Sequence, residues 1–214
     1  MKKILLLLFI LNLHLLKAQT FTFDSFACYS NKIVSLGTVR ENSCFINSNN
    51  NSYFLFLYNE KGNLEANLYD LKNLKSHHFK VEEKKVNGQS KFNFIFQFTK
   101  KHKSLMASNF ANYVFDFKEI ESKEEEKKME LIVYKNAKKR RSEMTFQFEY
   151  KDMPLNLFFA YKVCCLHPFE FNKNLYLNKN CLVTKRSVIA PSGNKVEHKL
   201  IDYKEISLEL TVPE

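Results

Sequence analysis

Phe92-Asn93-Phe94-Ile95-Phe96-Gln97-Phe98 is the stretch on which the fold turns. Aromatic rings recur at every second position, which is the repeat of a β-strand, where successive side chains point to opposite faces. A helix would scatter the same four rings around its circumference. Met144, Phe146, Phe148 and Tyr150 repeat the pattern against Thr145, Gln147 and Glu149. Ile206, Leu208, Leu210 and Val212 repeat it again against Ser207, Glu209 and Thr211.

Outward from these three, shorter runs also read as strands: 21–26, 32–39, 53–58, 64–71, 77–82, 113–117, 130–134, 157–163 and 182–189. Asn59-Glu60-Lys61-Gly62-Asn63, Asn87-Gly88 and Pro191-Ser192-Gly193-Asn194 separate some of them. Glycine and asparagine there supply the positive φ of tight reversals. Asn49, Asn50 and Asn51 read as a polar loop, within which Asn50-Asn51-Ser52 has the form of a glycosylation sequon. Repeated strand and turn predict a mainly β chain: a single antiparallel meander in the form of a sandwich, barrel or half-barrel, with at most one or two short helices. The helix candidates are Glu119 to Lys128, with its clustered charges, and Ser104 to Asn112. No repeat, linker or compositional break divides residues 19–214, which read as one domain.

Residues 1–18 have a different character. Lys2 and Lys3 precede an apolar run from Ile4 to Leu16, and Lys17-Ala18-Gln19 forms a polar boundary. That order is the signature of a secretory signal peptide, with cleavage expected after Ala18. The run is short for a membrane span of about 20 residues, so the cleaved chain is expected not to be integral to the membrane and to be periplasmic or extracellular. Loss of Lys2, Lys3 and Lys17 takes three of 33 basic residues and none of 23 acidic ones, so the formal charge falls from +10 to +7. In an exported protein a basic surface points to an anionic envelope component rather than to nucleic acid. Its sharpest cluster is Lys138-Lys139-Arg140-Arg141, placed by the flanking strands at a hairpin tip.

An oxidising destination also makes the cysteines candidate cross-links. Cys28 and Cys44, and likewise Cys165 and Cys181, lie 16 positions apart and could close two local loops, leaving Cys164 over. Connectivity stays open, because five cysteines allow many pairings. Cys164-Cys165-Leu166-His167 and His77-His78 are the densest sets of metal-ligand residue types. Adjacent side chains on a strand diverge, so no metal site and no cofactor is expected from either. His102, His167 and His198 have no spacing that brings them near either set.

Nothing in the chain writes a catalytic signature. Its four glycines, Gly37, Gly62, Gly88 and Gly193, are isolated, which excludes a nucleophile elbow and a phosphate-cradling loop. The 21 phenylalanines and absence of tryptophan suit an apolar interior better than a sugar-stacking platform. The sequence therefore reads as an exported, non-enzymatic binding or envelope-associated domain. Its expected partner is an apolar or lipidic small molecule, lined by Phe92, Phe94, Phe96, Phe98, Phe146 and Phe148, or an anionic envelope component. The alternative is a secreted hydrolase whose residues converge only in the fold.

Overall fold

Every strand among the described residues belongs to one antiparallel sheet. The computed structural model describes residues 18–86, 89–120, 127–189 and 195–213. Six strands run first, β1 (Ala18–Ile33), β2 (Thr38–Asn47), β3 (Asn50–Glu60), β4 (Asn63–Asp70), β5 (Lys75–Val86) and β6 (Gln89–Lys101). Five more follow, β7 (Val114–Ile120), β8 (Lys127–Tyr134), β9 (Ser142–Asp152), β10 (Cys181–Ile189) and β11 (Lys195–Pro213). The lateral order is β6-β5-β4-β3-β2-β1-β11-β10-β9-β8-β7. Each half is thus a meander of sequence neighbours, and the two halves join where β11 pairs with β1, from Ala18 opposite Pro213 to Ile33 opposite Val196.

This is the expected antiparallel β-meander, and the curl of its first half identifies the form. Phe45 on β2 lies 6.0 Å from Phe92 and 5.8 Å from Phe94, ring centre to ring centre. Those rings belong to β6, four strands away, which would be about 19 Å in a flat sheet. The sheet therefore rolls β6 back over β2. The trough so formed is filled by Phe21, Phe23, Phe45, Leu55, Leu68, Phe79 and their neighbours, with Phe92, Phe94 and Phe96 packed against them.

The opposite face carries the larger core. Strand alternation sends Phe54 there while Tyr53 and Leu55 enter the trough, and it separates Cys44 and Ile46 from Phe45 in the same way. A helix, α1 (Phe158–Cys165), covers this face. The sequence reading of 157–163 as a strand is thereby corrected. Phe158 to Cys164 are buried all round, so the segment has no polar stripe to betray a helical period, and a short apolar run leaves periodicity undecided. Asn31 of β1 and Asn42 of β2 hold the helix end, their side-chain amides donating to the Cys164 carbonyl at 3.4 and 2.7 Å. A terminal carbonyl without an intrahelical partner is thus satisfied from the sheet.

Four further expectations are revised. Residues 32–39 are not one strand but the end of β1, a 3-10 turn at Val34–Leu36, and the start of β2 beyond Gly37. Asn50 and Asn51, read as loop, begin β3. Ser104 to Asn112 holds only the 3-10 turn Ser108–Phe110. The ends of the Glu119 to Lys128 segment belong to β7 and β8, while 121–126, like residues 1–17 of the expected signal and the expected turns at 87–88 and 191–194, lie outside the described residues. The Lys61-Gly62 reversal has the expected geometry: both residues take positive φ, 52° and 86°, and Asn59 accepts the Gly62 N–H at 2.9 Å.

Candidate functional site

A single displaced residue creates the most unusual chemistry of the helix-covered face. Val183 stands opposite Tyr150, but Lys185, not Thr184, stands opposite Glu149, so Thr184 is a bulge. Without it, alternation from buried Val183 would turn Lys185 inward. With it, Lys185 points to solvent, where it pairs with Glu149 at 3.7 Å, and Arg186 turns inward opposite Phe148. On its other side Arg186 stands opposite His198 of β11. Arg186 and His198 are each 6% exposed.

The residues following α1 roof these two. Cys165, Leu166, His167, Pro168 and Phe169 pass over β9, β10 and β11 and border a half-open cavity of about 370 Å³. Its walls are Met144, Phe146, Leu166, Phe169, Val188 and Val196, its floor includes Arg186 and His198, and Glu143 stands at its lining. The guanidinium carbon of Arg186 lies 4.0 Å from the Phe146 ring centre, and the Tyr161 ring is 6.3 Å from that of His198. Burial, together with the Arg186 charge, pushes the His198 imidazole down to about 3, so it is neutral at physiological pH. Burial raises the Tyr161 phenol, which keeps its proton. The Arg186 Nε and His198 Nδ1 atoms are buried without hydrogen-bond partners.

A second cavity, of about 320 Å³, opens on the other flank of α1 and includes Lys162, Phe159, Phe171 and Tyr176. Lys162 is buried, and burial pushes its amine down to about 8. Its ammonium is nevertheless answered by protein, donating to the carbonyls of Asn172 at 3.0 Å and Leu175 at 3.2 Å, with the Phe159 ring at 5.1 Å. It serves as a tie between α1 and the loop that follows.

No protein-family model and no curated protein matches this chain.

Of the aromatic residues expected to line a ligand site, Phe146 borders the Arg186 cavity. Phe148 is instead packed against Phe158 and Tyr161, at 6.0 and 5.8 Å. Phe92, Phe94 and Phe96 are half-buried and pack against the core of the trough. Phe98 leaves their row. A bulge between the His78 and Phe79 pairings turns it to the outer face, where it is 54% exposed and stacks on His78 at 4.3 Å.

The basic cluster sits at the β8–β9 reversal, as its flanks predicted. Lys139 adopts positive φ and grips both Asp116 carboxylate oxygens at 2.6 Å, while Lys138, Arg140 and Arg141 are exposed. Glu143 borders both this surface and the Arg186 cavity, so the two are contiguous.

All five cysteines are free thiols, correcting the expected disulfides. Cys28 stands opposite Ser43, and Cys44 opposite Ala27, so their side chains leave opposite faces of the sheet. Cys165 ends α1, whereas the Cys181 carbonyl accepts the Leu157 N–H at 3.0 Å beside the start of that helix. The eight residues between those ends of α1 span about 12 Å. Cys44 instead lies under the helix, donating to the Ala160 carbonyl at 3.7 Å, with Cys164 as its thiol neighbour. His78 and His102, which sequence spacing does not bring together, meet at Ser76: its hydroxyl is 3.1 Å from one Nε2 and 2.8 Å from the other. Among the described residues no group of three metal-ligating side chains is assembled.

Proposed function

We propose that this protein is an exported, non-enzymatic binding domain whose ligand is a small apolar molecule held in the Arg186 cavity. The observation that carries the proposal is the cavity itself. About 370 Å³ lies within the usual range of small-molecule sites, and a mostly apolar wall with a few convergent polar groups is their usual composition. Export rests on the sequence of residues 1–18. The exposed side chains of Lys138, Arg140 and Arg141 next to the cavity lining would favour an anionic envelope surface as the place where ligand is collected or released.

The test is the mass of the protein recovered after export from a bacterial host, measured under native and then denaturing conditions. Loss of Met1 to Ala18 and an adduct of several hundred daltons that disappears on denaturation are expected. A chain retaining residues 1–18, or one that neither carries an adduct nor takes up an added apolar probe, would overturn the corresponding half of the proposal.

The hydrolase alternative has one observation in its favour, the Ser76 hydroxyl between two imidazoles. Ser76 is buried between strands, it lines none of the cavities described above, and neither His78 nor His102 is hydrogen-bonded to an orienting carboxylate among the described residues. Labelling of Ser76 by an active-site-directed fluorophosphonate would establish that reading; absence of labelling in the folded protein removes it.

A further inference from the structure

The floor of the cavity narrows the ligand's chemical class, an inference resting on the binding reading above. Arg186, itself only 6% exposed, brings a positive charge to the floor of the cavity. Among the described residues no carboxylate lies within ion-pairing distance of it, although the neighbouring Lys185 has Glu149. The Phe146 ring offers its face to the guanidinium but accepts no in-plane hydrogen bond. Directly across the strand pair, His198 presents a second buried nitrogen with no partner. Buried charges in folded proteins are paired, and removal of a partner leaves an unfavourable site. The Tyr161 phenol is a neutral polar neighbour of Arg186, so Arg186 and His198 form half of a polar contact whose anionic half the described residues do not supply.

We propose that this half-contact receives the carboxylate of a small monocarboxylic acid. The carboxylate seats on Arg186 with a hydrogen bond from His198, and its apolar tail lies along Phe146, Leu166 and Val188. One guanidinium beside a neutral imidazole balances one negative charge. A planar fork matches the two oxygens of a carboxylate. A phosphate monoester would bring up to two charges, and Glu143 at the cavity lining opposes the second.

Calorimetric titration of the full exported chain with octanoate, octanol, octylamine and octyl phosphate tests the assignment. Octanoate is expected to bind at least tenfold tighter than each of the others. Arg186→Met should bring octanoate down to the affinity of octanol while leaving octanol unchanged. The ligand-free Arg186→Met protein should also melt at or above the wild-type temperature, because it has lost an unpaired buried charge. His198→Gln, should Arg186→Met fail to fold, is expected to weaken octanoate about fivefold and octanol not at all. Equal binding of octanoate and octanol to the wild type overturns the carboxylate assignment and leaves the apolar-ligand reading standing. Tighter binding of the amine or the phosphate overturns it likewise. Binding of none of the four, by a protein shown to carry no retained adduct, overturns the underlying reading itself.

Discussion

The two faces of the sheet solve the same packing problem with different completeness. In the trough, phenylalanine from β1, β2, β5 and β6 meets phenylalanine, commonly edge to face, and the buried His77 shares a hydrogen bond with Thr99 at 2.8 Å through Nδ1, while its Nε2 has no partner. Under α1 the packing is equally aromatic around Phe158, Tyr161 and Phe169, yet it stops at a cavity floored by Arg186 and His198. A face built only for stability has no use for a buried guanidinium that meets no carboxylate among the described residues. The difference teaches that the trough is packed for stability, whereas the helix side keeps a cavity and a buried charge, as the binding domain proposed above would require.

Core truncation should expose the first half of that contrast with the largest effect. Leu55 is fully buried in the trough, so Leu55→Ala is expected to destabilise by about 3 kcal/mol in urea unfolding, as a large-to-small change in a packed site does. A loss under 1 kcal/mol would mean that the trough is loosely filled and the contrast is wrong. Next comes acid. Unfolded His198 takes up its proton near pH 6.5, whereas the folded protein resists protonation until about 3. Between those values the unfolded state binds more protons, so stability falls as pH falls. Each unit below 6.5 should remove about 1.4 kcal/mol. His198→Gln should flatten that part of the profile, and a profile unchanged by the substitution would place the acid sensitivity elsewhere, with His77, also lowered by burial, as the first alternative.

A smaller, countable difference concerns the thiols. Cys28, Cys44, Cys164 and Cys181 are buried and Cys165 is partly exposed beside the cavity. Maleimide should label Cys165 first in the native protein and all five thiols after denaturation. Fewer than five labels in the unreduced, denatured chain would reveal a cross-link. The smallest effect belongs to Phe98. Phe98→Ser should change stability by no more than about 0.5 kcal/mol because that ring is half outside, whereas Phe96→Ser, one row inside, should cost clearly more.

How far the sequence discloses this arrangement depends on whether a feature is periodic. The alternation of Phe92, Phe94 and Phe96 names a strand and its buried face, and the Lys61-Gly62 reversal names a hairpin, because each follows from a local rule. The site follows from an exception. Arg186 faces inward only because Thr184 is displaced, and Thr184-Lys185-Arg186 read without that bulge is an ordinary exposed segment. The same limit hid the outward turn of Phe98. Helix α1 escaped for the opposite reason, being buried on every side, its one lysine included. Arg186 follows Lys185 and precedes Ser187 in β10, so the local sequence marks it as one more solvated residue.

The pairing of β1 with β11 has a consequence for how the molecule comes into being. Among the described residues the earliest strand, β1, and the latest, β11, lie side by side at the middle of the sheet, while β6 and β7, between them in sequence, stand at the ends of the strand order. Either meander can begin to zip as its own hairpins emerge, but the contacts that join the halves span nearly the whole chain and close a loop of very high contact order. The molecule is therefore two locally folding halves waiting on one final seam. A chain interrupted before Lys195 would leave β1 and β10 as raw edges at its centre, open to pairing with another copy.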